Sequence, residues 1–149
     1  MIQKLEHRKT EVAEVMRGVF HASYAVEAKI LGATDFPPLR RTLAGYRESN
    51  NDFYGYIKDG VLAGVVEVDA TAARTHIQSL VVHPDYFRMG IGTQLVNMVL
   101  NTYESQVFTV ETGLANKPAT DLYLKHGFRK KGEYDTDHGV RKVRFEKQV

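Results

Sequence analysis

The sequence predicts an α/β fold with a mixed sheet of about seven strands and helices on both faces. The expected order is β-α-α-β-β-β-α-β-α-β-β, in one domain over residues 1–149. Three observations carry that expectation. The stretch from Thr75 to Asn101 reads as an apolar strand, a glycine turn and a helix in immediate succession. A second β-branched run follows, and strand, helix, strand makes a parallel unit with a right-handed crossover. Asp59-Gly60 between two β-prone runs adds an antiparallel hairpin, so the sheet is mixed.

Ile2 to Leu5 reads as the first strand. Thr10 is placed to cap a helix whose first turn holds Glu11, the sign that the helix dipole prefers. Val12, Val15, Met16, Val19 and Phe20 form one apolar stripe at helical spacing, and the helix is expected to run to Leu31 with Gly32 as its stop. The run Asp35-Phe36-Pro37-Pro38 is expected to be non-helical, because each proline disfavours the α region in the residue before it. Leu39, Leu43 and Tyr46 suggest a second, short helix. Phe53 to Lys58 and Val61 to Val68 are the hairpin strands.

Thr71-Ala72-Ala73-Arg74 then leads to a strand over His76–Val82, apolar enough to be covered on both faces. Pro84 ends it, since proline has no N–H for a ladder. Leu95, Val96, Val99 and Leu100 recur at helical spacing after Gly92. Gln106 to Thr112 is the next strand and Gly113 to Lys117 a loop. Pro118 opens a helix in its allowed first turn, with Ala119, Leu122, Tyr123 and His126 on one face and Gly127 as its stop. Two last strands flank a turn at Asp137-His138-Gly139.

Composition excludes several function classes. Hydrophobic residues make up 43% of the 149, which suits a packed core. No apolar run has membrane-spanning length, and the first residues lack a signal-peptide core. The absence of cysteine excludes disulfides, thiolate metal sites and a cysteine nucleophile. The six histidines show no close ligand spacing, so no metal is expected. A formal charge of +2 is too mild to imply nucleic acid. The expected location is the cytoplasm. The clusters Arg40-Arg41, Arg129-Lys130-Lys131 and Arg141-Lys142 read as solvated faces.

Arg88-Met89-Gly90-Ile91-Gly92-Thr93 carries the first functional signal. Two glycines at a helix start leave unpaired N–H groups at the positive end of the dipole, a place suited to a pyrophosphate. Taken alone, a Gly-x-Gly is also a tight turn for packing. A dinucleotide fingerprint needs a third glycine where Leu95 stands, and a Walker-type loop needs a Gly-Lys-Ser/Thr that is absent. The whole context, Leu80-Val81-Val82-His83-Pro84 followed by Arg88 to Gly92, resembles the acetyl-CoA-binding motif of the GNAT N-acetyltransferase superfamily. There Arg/Gln-x-x-Gly-x-Gly/Ala follows a strand ending in Val-x-Pro. The family's first Arg/Gln falls on Phe87, and Arg88 stands where the family often has glycine. A second stretch, Glu111 to Asn116 and then Leu122-Tyr123-Leu124-Lys125-His126-Gly127-Phe128, resembles the family's closing motif. The family's fold has the same order of elements.

The resemblance implies transfer of an acyl group, most often acetyl from acetyl-CoA, to an amine acceptor by direct attack. It implies Tyr123 as general acid, Glu111 as base and Asn116 on the pantetheine arm. Leu80, Val81 and Val82 would offer main-chain groups to that arm. Arg88, Met89, Gly90, Ile91, Gly92 and Thr93 would hold the pyrophosphate. Taken as residues alone, Tyr123 reads also as a core aromatic, Glu111 as a strand-end carboxylate and Asn116 as a helix cap. Glu67, His76 and solvent stand as rival bases. A non-catalytic acyl-CoA-binding module is the alternative function, and a nucleotide-binding regulator a third. The acceptor is expected between residues 32–45 and the turn near 137–141. An exposed edge strand leaves pairing with a second copy open.

Overall fold

The computed structural model describes residues 1–149, and its elements alternate as the local patterns require. Strand β1 (Ile2–Lys4) leads to helix α1 (Thr10–Leu31), a 3-10 turn (Pro37–Arg40) and helix α2 (Leu43–Arg47). Strands β2 (Asp52–Lys58), β3 (Val61–Ala70) and β4 (Arg74–Val82) follow. A 3-10 turn (Pro84–Tyr86) and helix α3 (Ile91–Thr102) connect β4 to β5 (Val107–Gly113). Helix α4 (Lys117–Lys125) and strands β6 (Arg129–Asp135) and β7 (Arg141–Gln148) complete the chain. The seven strands form one sheet in the order β1-β2-β3-β4-β5-β7-β6, parallel only between β4 and β5.

Helix α1 buries Ala13, Met16, Val19 and Phe20 against Leu5, Phe53, Val65 and Val81 on one face of the sheet. Helices α3 and α4 cover the other face, where Leu95, Val96, Val99 and Tyr123 meet Val66, Ile77, Phe108 and Phe145. Gly32 ends α1 with φ 65°, and the Ala33 N–H reaches back to the Ala28 carbonyl.

Four local expectations are corrected. The cap of α1 is Lys9, which makes no side-chain cap bond, so Thr10 is the first helical residue rather than the cap. Val15 is 55% exposed, because the stripe facing the sheet is Ala13-Met16-Phe20, spaced by three and four residues. Pro37 and Pro38 do enter a helical turn, a 3-10 one, in whose first positions a missing N–H costs nothing. Leu39 belongs to that turn and not to α2.

Strand β4 holds the feature that makes the site. Glu67 pairs with Ser79 and Val68 with Ile77, so Gln78 is an extra residue without a partner on β3. Such a bulge reverses the alternation of side chains. Ile77, Leu80 and Val82 therefore face α3 and α4, whereas Val81 faces α1. Gln78 itself is exposed, so β4 is not the strand covered on both faces. That strand is β3, buried continuously from Ala63 to Val68. Pairing of β4 with β5 stops at Ile77–Val110. Beyond that point the two parallel strands part and leave a wedge through the sheet.

Helix α1 spans this wedge. The Tyr24 hydroxyl donates to Ser79 Oγ of β4 at 3.2 Å. Two turns on, Leu31 sits where a Cβ on Gly113 of β5 would be, 2.5 Å from its Cδ2. Only a glycine at that strand end permits so close an approach.

Candidate active site

The chain leaves β4 through Pro84–Tyr86, where His83 Nδ1 accepts the Asp85 N–H at 3.1 Å. It then takes two left-handed steps, Arg88 at φ 64° and Gly90 at φ 75°. A side chain in that region costs roughly 1 kcal/mol, which is why glycine is the easier residue at Arg88's position. These steps aim the start of α3 at the wedge. The Gln94 N–H bonds to the Gly90 carbonyl at 3.0 Å, so the N–H groups of Ile91, Gly92 and Thr93 lie ahead of the first helical bond. Those free donors and the dipole make an anion cradle. Phe87, 42% exposed, and Arg88 flank it, with an apolar ring where a polar side chain would contact the anion.

One cavity of about 760 Å³ runs from this cradle through the wedge to the α1 side. Phe87, Arg88 and Gly92 line one end, and Leu80, Val82, Asn116 and Tyr123 the middle. Of the residues expected to bind the cofactor, Ile91 and Val81 send their side chains into the two cores, leaving only main-chain groups for a ligand. Met89, Gly90 and Thr93 do not line the cavity themselves.

Tyr123 is 3% exposed, held edge-on to Phe128 at 5.6 Å and beside Phe145 at 6.0 Å. Burial, with the Glu27 carboxylate and Tyr24 adding to it, pushes its phenol well above the ordinary range. The group is thus a neutral donor at physiological pH. Asn116 is the N-cap of α4, its Oδ1 accepting the Ala119 N–H at 3.3 Å, while it also lines the cavity. The cap orients its amide rather than competing with a ligand role.

The far end of the cavity is lined by Tyr24, Glu27, Phe36, Glu111, Val140 and Lys142, among others. Phe36, Val140 and Ala28 form a small core of their own, which ties the segment before α2 to the β6–β7 turn. Glu111 lies across from Arg144 of β7, and its hydrogen bond pushes the Tyr134 phenol up to about 12. Glu27 was not singled out by sequence reasoning. Burial raises its carboxyl above the usual carboxylate range, against the pull of Asn116 and Lys142. Its signal was legible in principle: a carboxylate three residues after Tyr24 and four before Leu31, on the inward stripe of α1.

The rival bases stand elsewhere. His76 Nδ1 is 2.7 Å from Thr109 Oγ1, and burial, with Arg74 helping, lowers its pKa; it does not line the cavity. Glu67, 1% exposed, receives Arg41 at 2.7 and 3.0 Å, Asn51 at 2.9 Å and Ser79 at 3.0 Å. Burial pushes its carboxyl up, but Arg41 and the two neutral donors outweigh that and hold it below the ordinary value. It opens on a second, polar pocket of about 440 Å³ that shares Arg41 and Gln78 with the first. No cluster of three His, Cys, Asp or Glu side chains converges as metal ligands would.

A family model described as acetyltransferase (GNAT) family matches residues 19–128. A Bacillus subtilis (strain 168) protein called UPF0157 protein YqkA is 35% identical over 131 residues, 87% of this chain and 38% of that protein. An N-alpha-acetyltransferase of Sulfurisphaera tokodaii is 27% identical over 89 residues, 55% of this chain and 53% of that protein. The chain thus spans about half or less of the length of the curated relatives it matches. The PaiA N-acetyltransferase of Thermoplasma acidophilum, solved with coenzyme A, superposes with a TM-score of 0.78 at 19% identity, covering 100% of this chain and 98% of that one. The ribosomal-protein-S18-alanine N-acetyltransferase of Escherichia coli gives 0.78 at 16% identity, covering 100% and 93%. Likeness at that identity shows a shared fold.

Proposed function

The chain belongs to the acetyltransferase (GNAT) family, and from that premise we propose that it transfers an acetyl group from acetyl-CoA to a primary amine in a ternary complex. One observation carries the reading. A single cavity joins an anion cradle at the start of α3 to a buried, neutral phenol at a break between two parallel strands. The donor's pyrophosphate fits the Ile91–Thr93 N–H groups. Its pantetheine arm fits the unpaired edge of β4 at Leu80–Val82 and the amide of Asn116.

The chemistry then divides by face. The amine comes from the α1 side and its nitrogen attacks the thioester carbonyl carbon. Main-chain N–H groups left free by the β4 break are suited to the oxyanion. As the C–N bond forms, Glu111 takes a proton from nitrogen. The C–S bond breaks with its electron pair on sulfur, and Tyr123 protonates the thiolate. Glu111 afterwards returns its proton to the Tyr123 phenolate. A cytoplasmic location fits a reaction that draws on acyl-CoA.

Acetyl-CoA at millimolar concentration is expected to raise the melting temperature, since it binds the native state alone. Gly92→Val should remove most of that rise. A Cβ there already lies 3.4 Å from Leu122 Cδ2, and valine's methyls would enter the cavity. Absence of any shift in the wild type sinks the proposal, and a larger shift with ATP or NAD replaces it with a nucleotide site. A CoA-release assay across an amine and peptide panel separates an enzyme from a module that only binds acyl-CoA.

A further inference from the structure

Helix α1 is fastened to both sides of the wedge, at Tyr24–Ser79 on β4 and at Leu31–Gly113 on β5. Glu27 lies between these anchors on the same helical stripe, three residues after the first and four before the second. Its side chain lines the cavity, where Tyr123 approaches from the opposite face of the sheet. We propose that Glu27 is the carboxylate that receives the acceptor as an ammonium ion and takes its first proton, so that the acceptor class is an alkylammonium. This rests on the acetyltransferase reading given above.

The proton balance leaves a place for such a group. An alkylammonium must lose one proton before its nitrogen has a free pair, and a second as the C–N bond forms. Glu111 serves the second step. Glu27 accepts the first, becoming a neutral carboxyl, and releases that proton to solvent after the amide leaves. Burial of Glu27 favours its neutral form and so suits it to carry a proton between turnovers. The groups that act on it are Lys142 from β7, Asn116 and Tyr123 from α4, and Tyr24 of its own helix, while Glu111 from β5 and Arg41 from the segment before α2 line the same cavity. No carboxylate lies within salt-bridge distance of Lys142, and Arg41 is engaged by Glu67. Glu27 makes no salt bridge, and with only the Asn116 amide and the Lys142 charge favouring its ionised form, its carboxylate is one against which an ammonium can settle.

The test uses CoA release with four probes: benzylamine, 1,4-diaminobutane, an alanyl peptide and Nα-acetyl-lysine. For whichever is fastest, Glu27→Gln is expected to lower kcat/KM about 10²-fold at pH 7. The deficit should narrow as pH rises toward the amine's own pKa. The variant depends on free amine, whose fraction grows about tenfold per pH unit. Glu27→Asp, which keeps the carboxylate, should recover part of the loss. An unchanged acetyl-CoA melting shift certifies that the variant is folded. A deficit independent of pH, or none, overturns the role of Glu27 while leaving the enzyme reading intact. A wild type that releases no CoA with any probe overturns the enzyme reading itself, and this role with it.

Discussion

Tyr123 can give up a proton only if its phenol stays protonated until the thiolate appears. Burial against Phe128 and Phe145 secures that, with Glu27 across the wedge disfavouring a second negative charge. Tyr123→Phe keeps the ring and its contacts and deletes one hydroxyl. Turnover is expected to fall about 10- to 10³-fold, in the lower half of that range because a thiolate leaves fairly well unaided. The melting temperature and acetyl-CoA affinity should hardly move. An acyl donor with a more acidic thiol should show a smaller deficit. If the residue serves only the core, the same variant loses up to about 1 kcal/mol of stability and almost no turnover. Measuring both quantities on one variant decides.

Among the elements, the meeting of α1 with β5 positions the site. Leu31 closes on the backbone of β5 at Gly113, where an added Cβ would meet its side chain. Gly113→Ala would place a methyl 2.5 Å from Leu31 Cδ2 and 2.8 Å from its Cδ1, so side chain or helix must shift. A loss of about 1–3 kcal/mol is expected from such overpacking. A tilt of α1 would also carry Glu27 away from the wedge, so turnover should fall more than acetyl-CoA affinity does. Equal turnover after a confirmed fall in melting temperature would show that Leu31 alone absorbs the strain. The bulge at Gln78 is the other device at this scale. One extra residue turns Leu80 and Val82 to the face covered by α3 and α4, and the ladder with β5 ends beside it.

Across the whole molecule, the Arg41–Glu67 pair ties the segment before α2 to the buried strand β3. Arg41 also lies over the Tyr46 ring at 4.3 Å, so the guanidinium is held by both charge and stacking. Glu67's carboxyl titrates below its ordinary value in the fold. Its contribution to stability is therefore present above the ordinary carboxyl range and is lost as pH falls through the lowered value. Arg41→Met strands a buried carboxylate and is expected to cost about 3–5 kcal/mol near neutral pH. The penalty should shrink in acid, as the stranded carboxyl protonates; melting curves across pH would show it, and a constant penalty would contradict it. The two open edges of the sheet are guarded: β1 has three residues, and β6 carries Arg129, Lys130 and Lys131 with a bulge before Gly132. No helix is long and apolar enough to cross a membrane.

The order of elements, the Asp59-Gly60 hairpin, the stop at Gly32 and the glycine turn before α3 were all legible in the sequence. Each is governed by preferences acting within one helical turn or one strand: apolar period, proline's missing N–H, glycine's access to positive φ. The family motifs were legible for the same reason, since each is a continuous stretch. The bulge at Gln78 was not, because one extra residue leaves no mark on a run of apolar residues until its partner strand is in place. Nor was Glu67's engagement by Arg41, 26 residues away in sequence, or the closure of Phe36 on Val140. Glu27 lay in plain sight on α1, but its chemistry depends on which strands the helix crosses. Side chains converge through long-range pairing, and only the folded sheet decides which distant carboxylates share one cavity.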